Sequence, residues 1–281
     1  MNIEKAINQA SKFLQQNCIS SFVLDSELLM SKVLQKERKY LIMNIKEEIE
    51  EKKLRYYHNL INKRATGNPI AYLIGKKDFW KYEFKVTKDV LIPRPETELI
   101  VEQVLFYCKN KSKLKVLDIG VGSGCILISI LKEKKDFFGV GIDKSKKCLD
   151  VSDFNSSILD VKNRVKFFNS DIDNFGYGKY DIIISNPPYI KKLDLKYLER
   201  DVKNFEPELA LDGGIDGLSE IRNVVRKSSK LIKKNGKLFL EIGFDQKHSV
   251  IKILKYNGFH INKVLKDLAK NDRCIVSTKI K

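Results

Sequence analysis

Two kinds of hydrophobic spacing divide the chain. Residues 3 to about 16 place Ile3, Ala6, Ile7, Ala10, Phe13 and Leu14 three or four positions apart, which predicts a helix. Residues 25 to 36 follow with Leu28, Leu29, Val33 and Leu34, and either Asp25 or Ser26 could cap that helix. A third helix is expected over about 45 to 65 on Ile49, Leu54, Tyr57, Leu60, Ile61 and Arg64, and Gly67-Asn68-Pro69 stops it. Short helices on short connections predict a small helical domain over 1–69. It shows no catalytic constellation, and its Glu/Lys run from Lys46 to Lys53 reads as a solvated helix face.

The spacing then shortens to two. Tyr72-Leu73-Ile74-Gly75 and Phe79-Trp80-Lys81-Tyr82-Glu83-Phe84-Lys85-Val86 predict a β-hairpin over 70–92 that links two domains. Trp80, the single tryptophan, is expected to pack at the domain seam, with substrate contact as the alternative. Ile92-Pro93-Arg94-Pro95-Glu96-Thr97-Glu98 runs extended into a helix over 96 to 108, with Pro95 and two acids at its positive end.

From Lys115 onward strands and helices alternate. Strands are expected at Val116–Ile119, Phe137–Ile142, Val165–Asn169, Tyr180–Ser185, Lys237–Ile242, His260–Leu265 and Arg273–Lys279. Helices are expected at Cys125–Lys132, about 145–160, Asp216–Lys233 and 246–257. The short connection between the last two strands makes one of them antiparallel. The fold class is therefore α/β: a seven-stranded, mostly parallel, Rossmann-like domain over 93–281 behind a helical N-terminal domain.

The chemistry concentrates where strands end. Ile182-Ile183-Ile184-Ser185 is a buried parallel strand, and Asn186-Pro187-Pro188-Tyr189 must leave the sheet because proline cannot continue it. An amide, a free proline carbonyl and an aromatic ring then stand at the carboxyl edge, where open α/β sheets bind ligands. Taken alone, Asn-Pro is equally well a plain turn. Upstream, Gly120-Val121-Gly122-Ser123-Gly124 sits between a strand and a helix. Its spacing is Gly-x-Gly-x-Gly, not that of dinucleotide folds, and no Lys-Ser/Thr follows as in a triphosphate loop. Asp118, Asp143 and Asp171 each end a strand. Asp143 is placed to accept from ribose hydroxyls and Asp171 from an adenine amino group, although each alone also reads as a helix N-cap. The combination favours S-adenosylmethionine over a nicotinamide dinucleotide. Methyl transfer to a planar nitrogen needs the N–H groups held and the lone pair aimed; Asn186 Oδ1 and the Pro187 carbonyl can do the first, and Tyr189 can stack on a flat amide or base. No general base is expected nearby, and none is required.

Composition adds limits. The net charge of +17 attracts nucleic acid or an RNA-bound partner, but the lysines are scattered, and compositional bias explains them equally well. The five cysteines form no Cys-x-x-Cys pair, and His58, His248 and His260 stand at no ligand spacing, so no metal site is expected. No apolar run is long enough for a membrane span and no signal pattern opens the chain, which points to the cytoplasm.

Four motifs together carry a family resemblance: Gly67-Asn68-Pro69-Ile70-Ala71-Tyr72, Ile92–Glu98, Asn186-Pro187-Pro188-Tyr189-Ile190, and Phe205-Glu206-Pro207-Glu208-Leu209-Ala210-Leu211-Asp212-Gly213-Gly214. The set resembles the peptide-chain release factor glutamine methyltransferases nearly end to end. The resemblance implies transfer of a methyl group from S-adenosyl-L-methionine to the glutamine of the Gly-Gly-Gln motif of bacterial class-1 release factors, giving N5-methylglutamine. It implies cofactor contacts from Gly120, Val121, Gly122, Ser123, Gly124 and Asp143, with Asp171, Ile172 and Asn186 also at the cofactor; Ile172 stands where some members carry an aromatic. It implies substrate contacts from Asn186, Pro187, Pro188 and Tyr189, with Asn186, Pro187 and Tyr189 catalytic. Arg94 and Glu206 either shape the substrate pocket or form a structural ion pair. The release factor is the expected partner, with no membrane and no obligatory nucleic acid. The competing readings are a DNA or RNA amino-group methyltransferase and an inactive basic nucleic-acid-binding protein. The Ile92–Glu98 and Phe205–Gly214 segments argue against the first, and the intact Gly120–Gly124, Asp143 and Asn186–Tyr189 set against the second.

Overall fold

Burial of Ile3, Ala6, Ala10 and Leu14 on one face winds Ile3–Gln16 into α1, and the Asn2 side chain accepts from Lys5 N to cap it. In the computed structural model, which describes residues 1–280, the chain divides into two units. The first comprises Met1–Lys76 together with Glu199–Phe205. Here α1 is followed by α2 (Phe22–Leu34), α3 (Arg38–Met43), α4 (Glu51–Ala65) and α5 (Ile70–Ile74) around Leu14, Leu29, Met30, Tyr57 and Leu60.

Three expectations change. The second helix begins three residues earlier than its capping candidates, so Asp25 and Ser26 lie inside it. Asp25 is buried and accepts from Arg64 Nε at 2.7 Å, while Ser21 Oγ donates to it at 2.8 Å. The third helix starts at Glu51, not 45, and residues 70–74 are helical instead of extended. The helical unit therefore ends beyond residue 69, and the later segment Glu199–Phe205 belongs to it, its Arg200 and Phe205 side chains lying 3.5 Å from where a Cβ on Gly67 would stand.

Removing one partner of a buried ion pair leaves the other charge uncompensated. Asp25→Ala is therefore expected to lower the stability of the protein by about 3 kcal/mol, read as a shift of the urea midpoint; an unchanged midpoint would show that Arg64 finds water.

In the second unit the hairpin strands β1 (Lys76–Phe79) and β2 (Tyr82–Lys85) carry Phe79 and Phe84 into the sheet's own core. Trp80 packs against the same core, and its Nε1 donates to Glu133 Oε1 at 3.1 Å, so its partners lie in the α/β unit. After a single 3-10 turn at Pro95–Thr97 come α6 (Glu98–Tyr107), β3 (Lys115–Ile119), α7 (Cys125–Glu133), β4 (Phe138–Asp143), α8 (Lys146–Ile158), β5 (Val165–Asn169) and β6 (Tyr180–Ser185). Then follow α9 (Arg200–Phe205, counted with the helical unit), α10 (Ser219–Leu231), β7 (Ile232–Glu241), α11 (Lys247–Tyr256), β8 (Phe259–Lys266) and β9 (Asp272–Lys279).

The sheet order is β5-β4-β3-β6-β7-β9-β8, with β9 antiparallel to both neighbours and every other pairing parallel. Both faces are covered. Val116, Ile182, Ile184 and Phe239 enter one core, and Leu117, Ile183, Leu238 and Leu240 the other, which is why these strands are apolar at successive positions. β3 and β6 are neighbours, with Asp118 opposite Ile184 and Ile119 opposite Ser185. Two loops far apart in sequence, after Ile119 and after Ser185, thus leave the sheet side by side.

Candidate active site

A cavity of about 420 Å³ opens at that carboxyl edge, in the size range of small-molecule sites. One wall is the glycine loop. Gly120 and Val121 donate from their backbone N–H groups to Ile142 O at 2.9 and 3.0 Å, and Gly122 N donates to Asp143 Oδ2 at 3.0 Å. Asp143 Oδ1 accepts from Ser145 N at 2.9 Å, so one carboxylate ties the glycine loop to the start of α8. Gly120, Gly122 and Gly124 all have positive φ, and a Cβ on Gly120 or Gly122 would meet nothing within 4 Å. Those two glycines leave open space over the cavity for a ligand to approach the backbone.

Asn186, Pro187 and Pro188, at the end of the neighbouring strand β6, line the same cavity. The Asn186 Nδ2 group donates to Thr97 Oγ1 at 3.2 Å. Among the described residues no donor is bonded to Asn186 Oδ1 or to the Pro187 carbonyl. The exit from this turn is pinned by the Phe205–Gly214 segment. Ile190 N donates to Leu211 O at 3.1 Å and Gly213 N to Ile190 O at 2.8 Å. Gln246 Nε2 donates to both Tyr189 O and Gly217 O at 2.9 Å. A Cβ on Gly213 would stand 2.8 Å from the Tyr189 Cα, so the segment can lie this close to the turn only as glycine.

Of the residues singled out in the sequence, Gly120, Gly122, Asp143, Ile172, Asn186, Pro187 and Pro188 line the cavity. Val121, Ser123 and Gly124 do not; they are turned into the protein, and a Cβ on Gly124 would meet the Ile128 side chain at 2.7 Å. Asp171 stands outside the lining, held by Asp173 N and by Lys144 Nζ at 3.2 Å, while its neighbours Ser170 and Ile172 are within it. The Asp173 amide draws the Asp171 carboxyl below its ordinary range. Tyr189 does not line the cavity either: its ring packs against the second core and its hydroxyl donates to Glu241 Oε1 at 3.3 Å. Arg94 and Glu206 form an ion pair at 2.5 Å, with Glu206 buried and also accepting from Ile92 N at 3.2 Å. They lie behind the lining formed by Leu91, Pro207 and Glu208.

No general base is expected beside Asn186 in the sequence, and the fold brings further acids to the cavity from distant segments. Asp89, Glu208, Asp212 and Glu220 line the cavity beside Asp143, and Glu241 lies buried beneath Tyr189. The signal for Glu241 was present: Leu238-Phe239-Leu240-Glu241 is an apolar strand ending in an acid at the same sheet edge as Asn186.

Two of the buried acids are strongly perturbed. Burial, with the Asp143 charge adding to it, pushes the Asp118 carboxyl up to about 8, and neither of its oxygens has a hydrogen-bond partner. Burial pushes Glu241 up to about 7, against the opposing pull of Thr97, Arg273 and Tyr189. Both acids hold a proton more tightly folded than unfolded. Their contribution to stability is complete below the ordinary carboxylate range and is lost as pH rises through about 7 to 8. Asp118→Asn, which is neutral at every pH, is therefore expected to be more stable than the parent at pH 8.5 by about 2 kcal/mol or more, with the difference shrinking toward pH 4. Urea midpoints at the two pH values test this; a difference independent of pH would mean that the acid is not neutral when folded.

One reversed strand, β9, between β7 and β8 at one end of an otherwise parallel sheet, an open glycine loop after its first strand and an acid holding that loop from the second define an S-adenosylmethionine-dependent methyltransferase. The residues fit that cofactor: the free space over Gly120 and Gly122, the Asp143 carboxylate beside it and the apolar Ile172 suit a nucleoside with a sulfonium side arm.

Comparison with known proteins agrees and narrows the class. Residues 5–75 match the PrmC N-terminal domain, and residues 97–215 match the methyltransferase small domain. Release factor glutamine methyltransferase of Clostridium acetobutylicum is 39% identical over 282 residues, covering 99% of each chain. That of Caulobacter vibrioides is 33% identical, over 99% of this chain and 97% of its own. Among solved structures, ribosomal protein L11 methylase from Lactobacillus delbrueckii subsp. bulgaricus shares the fold, with a TM-score of 0.51 at 14% identity over 73% of this chain and 92% of that one. The chain belongs to the release factor glutamine methyltransferase family.

Proposed function

We propose that this protein transfers a methyl group from S-adenosyl-L-methionine to the side-chain amide nitrogen of the glutamine in the Gly-Gly-Gln motif of class-1 peptide-chain release factors. The observation that carries the reading is the pair of acceptors with no bonded donor among the described residues, Asn186 Oδ1 and the Pro187 carbonyl, on residues that line the same cavity as the glycine loop. A primary amide has two N–H groups, and two fixed acceptors both hold it and set the plane of its nitrogen.

The cofactor, when bound, supplies a methyl group on a positively charged sulfur. Gly120, Gly122, Asp143 and Ile172 are assigned to hold it, and Asn186, Pro187 and Pro188 to hold the glutamine. Asn186, Pro187 and Pro188 would present the glutamine nitrogen to the methyl group that the bound cofactor would supply. Acceptors on both N–H groups favour the lone pair turning out of conjugation, because they stabilise the positive charge that develops on nitrogen. The methylated nitrogen then loses a proton readily, so the cavity acids need not act before transfer. Tyr189, with its hydroxyl on Glu241 and its carbonyl on Gln246, is assigned to hold the turn rather than to stack on the amide.

The helical unit is assigned to docking of the release factor. No helix among the described residues is long and apolar enough to cross a membrane. The reading places the protein with its substrate in the cytoplasm.

The test is mass spectrometry of a purified bacterial release factor after incubation with the protein and S-adenosylmethionine. One added methyl on the Gly-Gly-Gln peptide is expected. No methyl there, with the cofactor shown to bind, would overturn the substrate and direct the next assay to labelled-methyl transfer to nucleic acid.

A further inference from the structure

The turn that carries Asn186 is anchored at two ends. At the first, Ser185 closes β6, buried, with its hydroxyl donating to Ile119 O at 2.7 Å. At the second stands Tyr189, already outside the sheet. Between them lie Asn186, Pro187 and Pro188. The two pyrrolidine rings lock two of the φ angles, so few soft torsions remain. Where the Asn186 amide and the Pro187 carbonyl point is then set by where Tyr189 is fixed.

The Tyr189 main chain is fixed by Gln246, the residue at which α11 begins. Gln246 is 4% exposed. Its Nε2 donates to Tyr189 O and to Gly217 O, both at 2.9 Å, and its Oε1 accepts from Gly243 N at 2.9 Å. Two main-chain acceptors and one main-chain donor, from three separate segments, thus converge on one side chain.

The chemistry of that side chain matches what converges on it. A primary amide has two N–H donors and a carbonyl acceptor, so both hydrogens of this buried group are used and the main chain fixes its flip state. An ionised carboxylate of the same size would set acceptor against acceptor at two of the three contacts, and asparagine is one methylene shorter. The space is as restrictive as the bonding. A Cβ on Gly217 would stand 2.5 Å from Tyr189 O and 2.7 Å from Gln246 Nε2.

We propose that Gln246 is a positioning residue of the methyl-transfer site, a clasp that fixes the far end of the Asn186–Tyr189 turn and so aims the two acceptors offered to the substrate amide. Neither Gln246 nor Gly217 lines the cavity, so both act through the turn and not on the substrate. This rests on the substrate-holding role assigned to Asn186 and Pro187 above, and it adds a residue that lies fifty-seven positions beyond Tyr189 in the chain.

Gln246→Met keeps the length of the side chain and removes all three bonds. It is expected to lose about 30-fold or more in the single-turnover rate of methyl transfer to a purified release factor, since displacing a positioned group by about 1 Å costs up to ~10²-fold. The affinity for S-adenosylmethionine should stay within twofold of the parent, because the glycine loop and Asp143 are bonded to each other and not to the clasp. Gly217→Ala leaves the glutamine in place and presses a methyl group on the Tyr189 carbonyl; it should show the same split, with a loss of about tenfold. A purely structural glutamine would lower the urea midpoint of Gln246→Met and leave turnover per folded molecule unchanged, and that result would overturn the clasp. So would a parallel loss of cofactor binding and rate. In the double variant Asn186→Ala/Gln246→Met the loss should be clearly smaller than the product of the two single losses, because both act on one turn; losses that multiply in full would also overturn the proposal.

A readout free of turnover separates the clasp from the assigned reaction. The Gln246 side-chain amide protons, followed by NMR in the 15N-labelled full-length protein, should be protected from solvent exchange in the parent. The Gly243 backbone amide should be protected there too and lose that protection in Gln246→Met. Unprotected Gln246 protons in the parent would overturn the clasp. Protected protons in a parent that fails to methylate a release factor would leave the clasp standing and overturn the function.

Discussion

Asn186→Ala is expected to lower methyl transfer at least ~100-fold in kcat while leaving the affinity for S-adenosylmethionine close to that of the parent. Removing one preorganised polar group aimed at developing charge costs about 10²–10³ in rate in other enzymes, and here the acceptor also sets the orientation of the reacting nitrogen. The fold should tolerate the change. Asn186 is only part-buried, its one side-chain bond is to Thr97, and the turn around it is held by the Ile190 and Gly213 backbone bonds and by Gln246. Cofactor affinity should survive because the glycine loop and Asp143 sit on the neighbouring strands β3 and β4 and are bonded to each other, not to Asn186. Single-turnover transfer of a labelled methyl group, alongside calorimetric titration with the cofactor, separates the two quantities. Substantial activity in the alanine variant would show that the substrate amide is held elsewhere in the cavity; parallel loss of binding and turnover would move Asn186 from the substrate to the cofactor.

How much of this was legible beforehand depended on where each residue finds its partner. The parallel strands were plain, since both faces of β3 and β6 are covered and their residues are apolar without interruption; Val165–Asn169 and Tyr180–Ser185 are observed at the expected residues. Helix α1, with one dry face and one wet face, was equally clear. Helix α3 was missed because only Leu41 in it is buried, which leaves no period to detect. Helix α5 was read as strand because Ile70-Ala71-Tyr72-Leu73-Ile74 is too short an apolar run for spacing to decide. The start of α2 was misplaced because Asp25 resembles a cap until Arg64, thirty-nine residues later, draws it inside. The same limit applied at the site. Asn186 and the glycines stand in local motifs that announce a sheet edge. Glu241 is locally visible as an acid ending an apolar strand, but its bond to Tyr189 and that of Thr97 to Asn186 form only when β7 and the turn before α6 reach the site, and no local pattern encodes that meeting.

The mirror experiment is Asp143→Ala, which is expected to weaken S-adenosylmethionine binding by about 100-fold and to spare the chemical step once the site is saturated. The carboxylate accepts from Gly122 N and Ser145 N, and hydrogen bonds to a charged group are each worth about 1.5–3 kcal/mol, so losing the acid both frees the glycine loop and removes a ligand contact. Burial already raises this carboxyl above its ordinary range, although both amides and the Lys144 charge oppose the rise. Its ionised form is held for its contacts at a cost in desolvation, so the alanine variant should unfold no more readily than a loop substitution does. Asp143→Asn offers one carbonyl oxygen in place of two carboxylate oxygens and should fall between parent and alanine in affinity. Titration calorimetry on both variants gives the affinities, and kcat at saturating cofactor gives the chemistry. A kcat loss matching that of Asn186→Ala, with binding intact, would interchange the two assignments and place the substrate over the glycine loop.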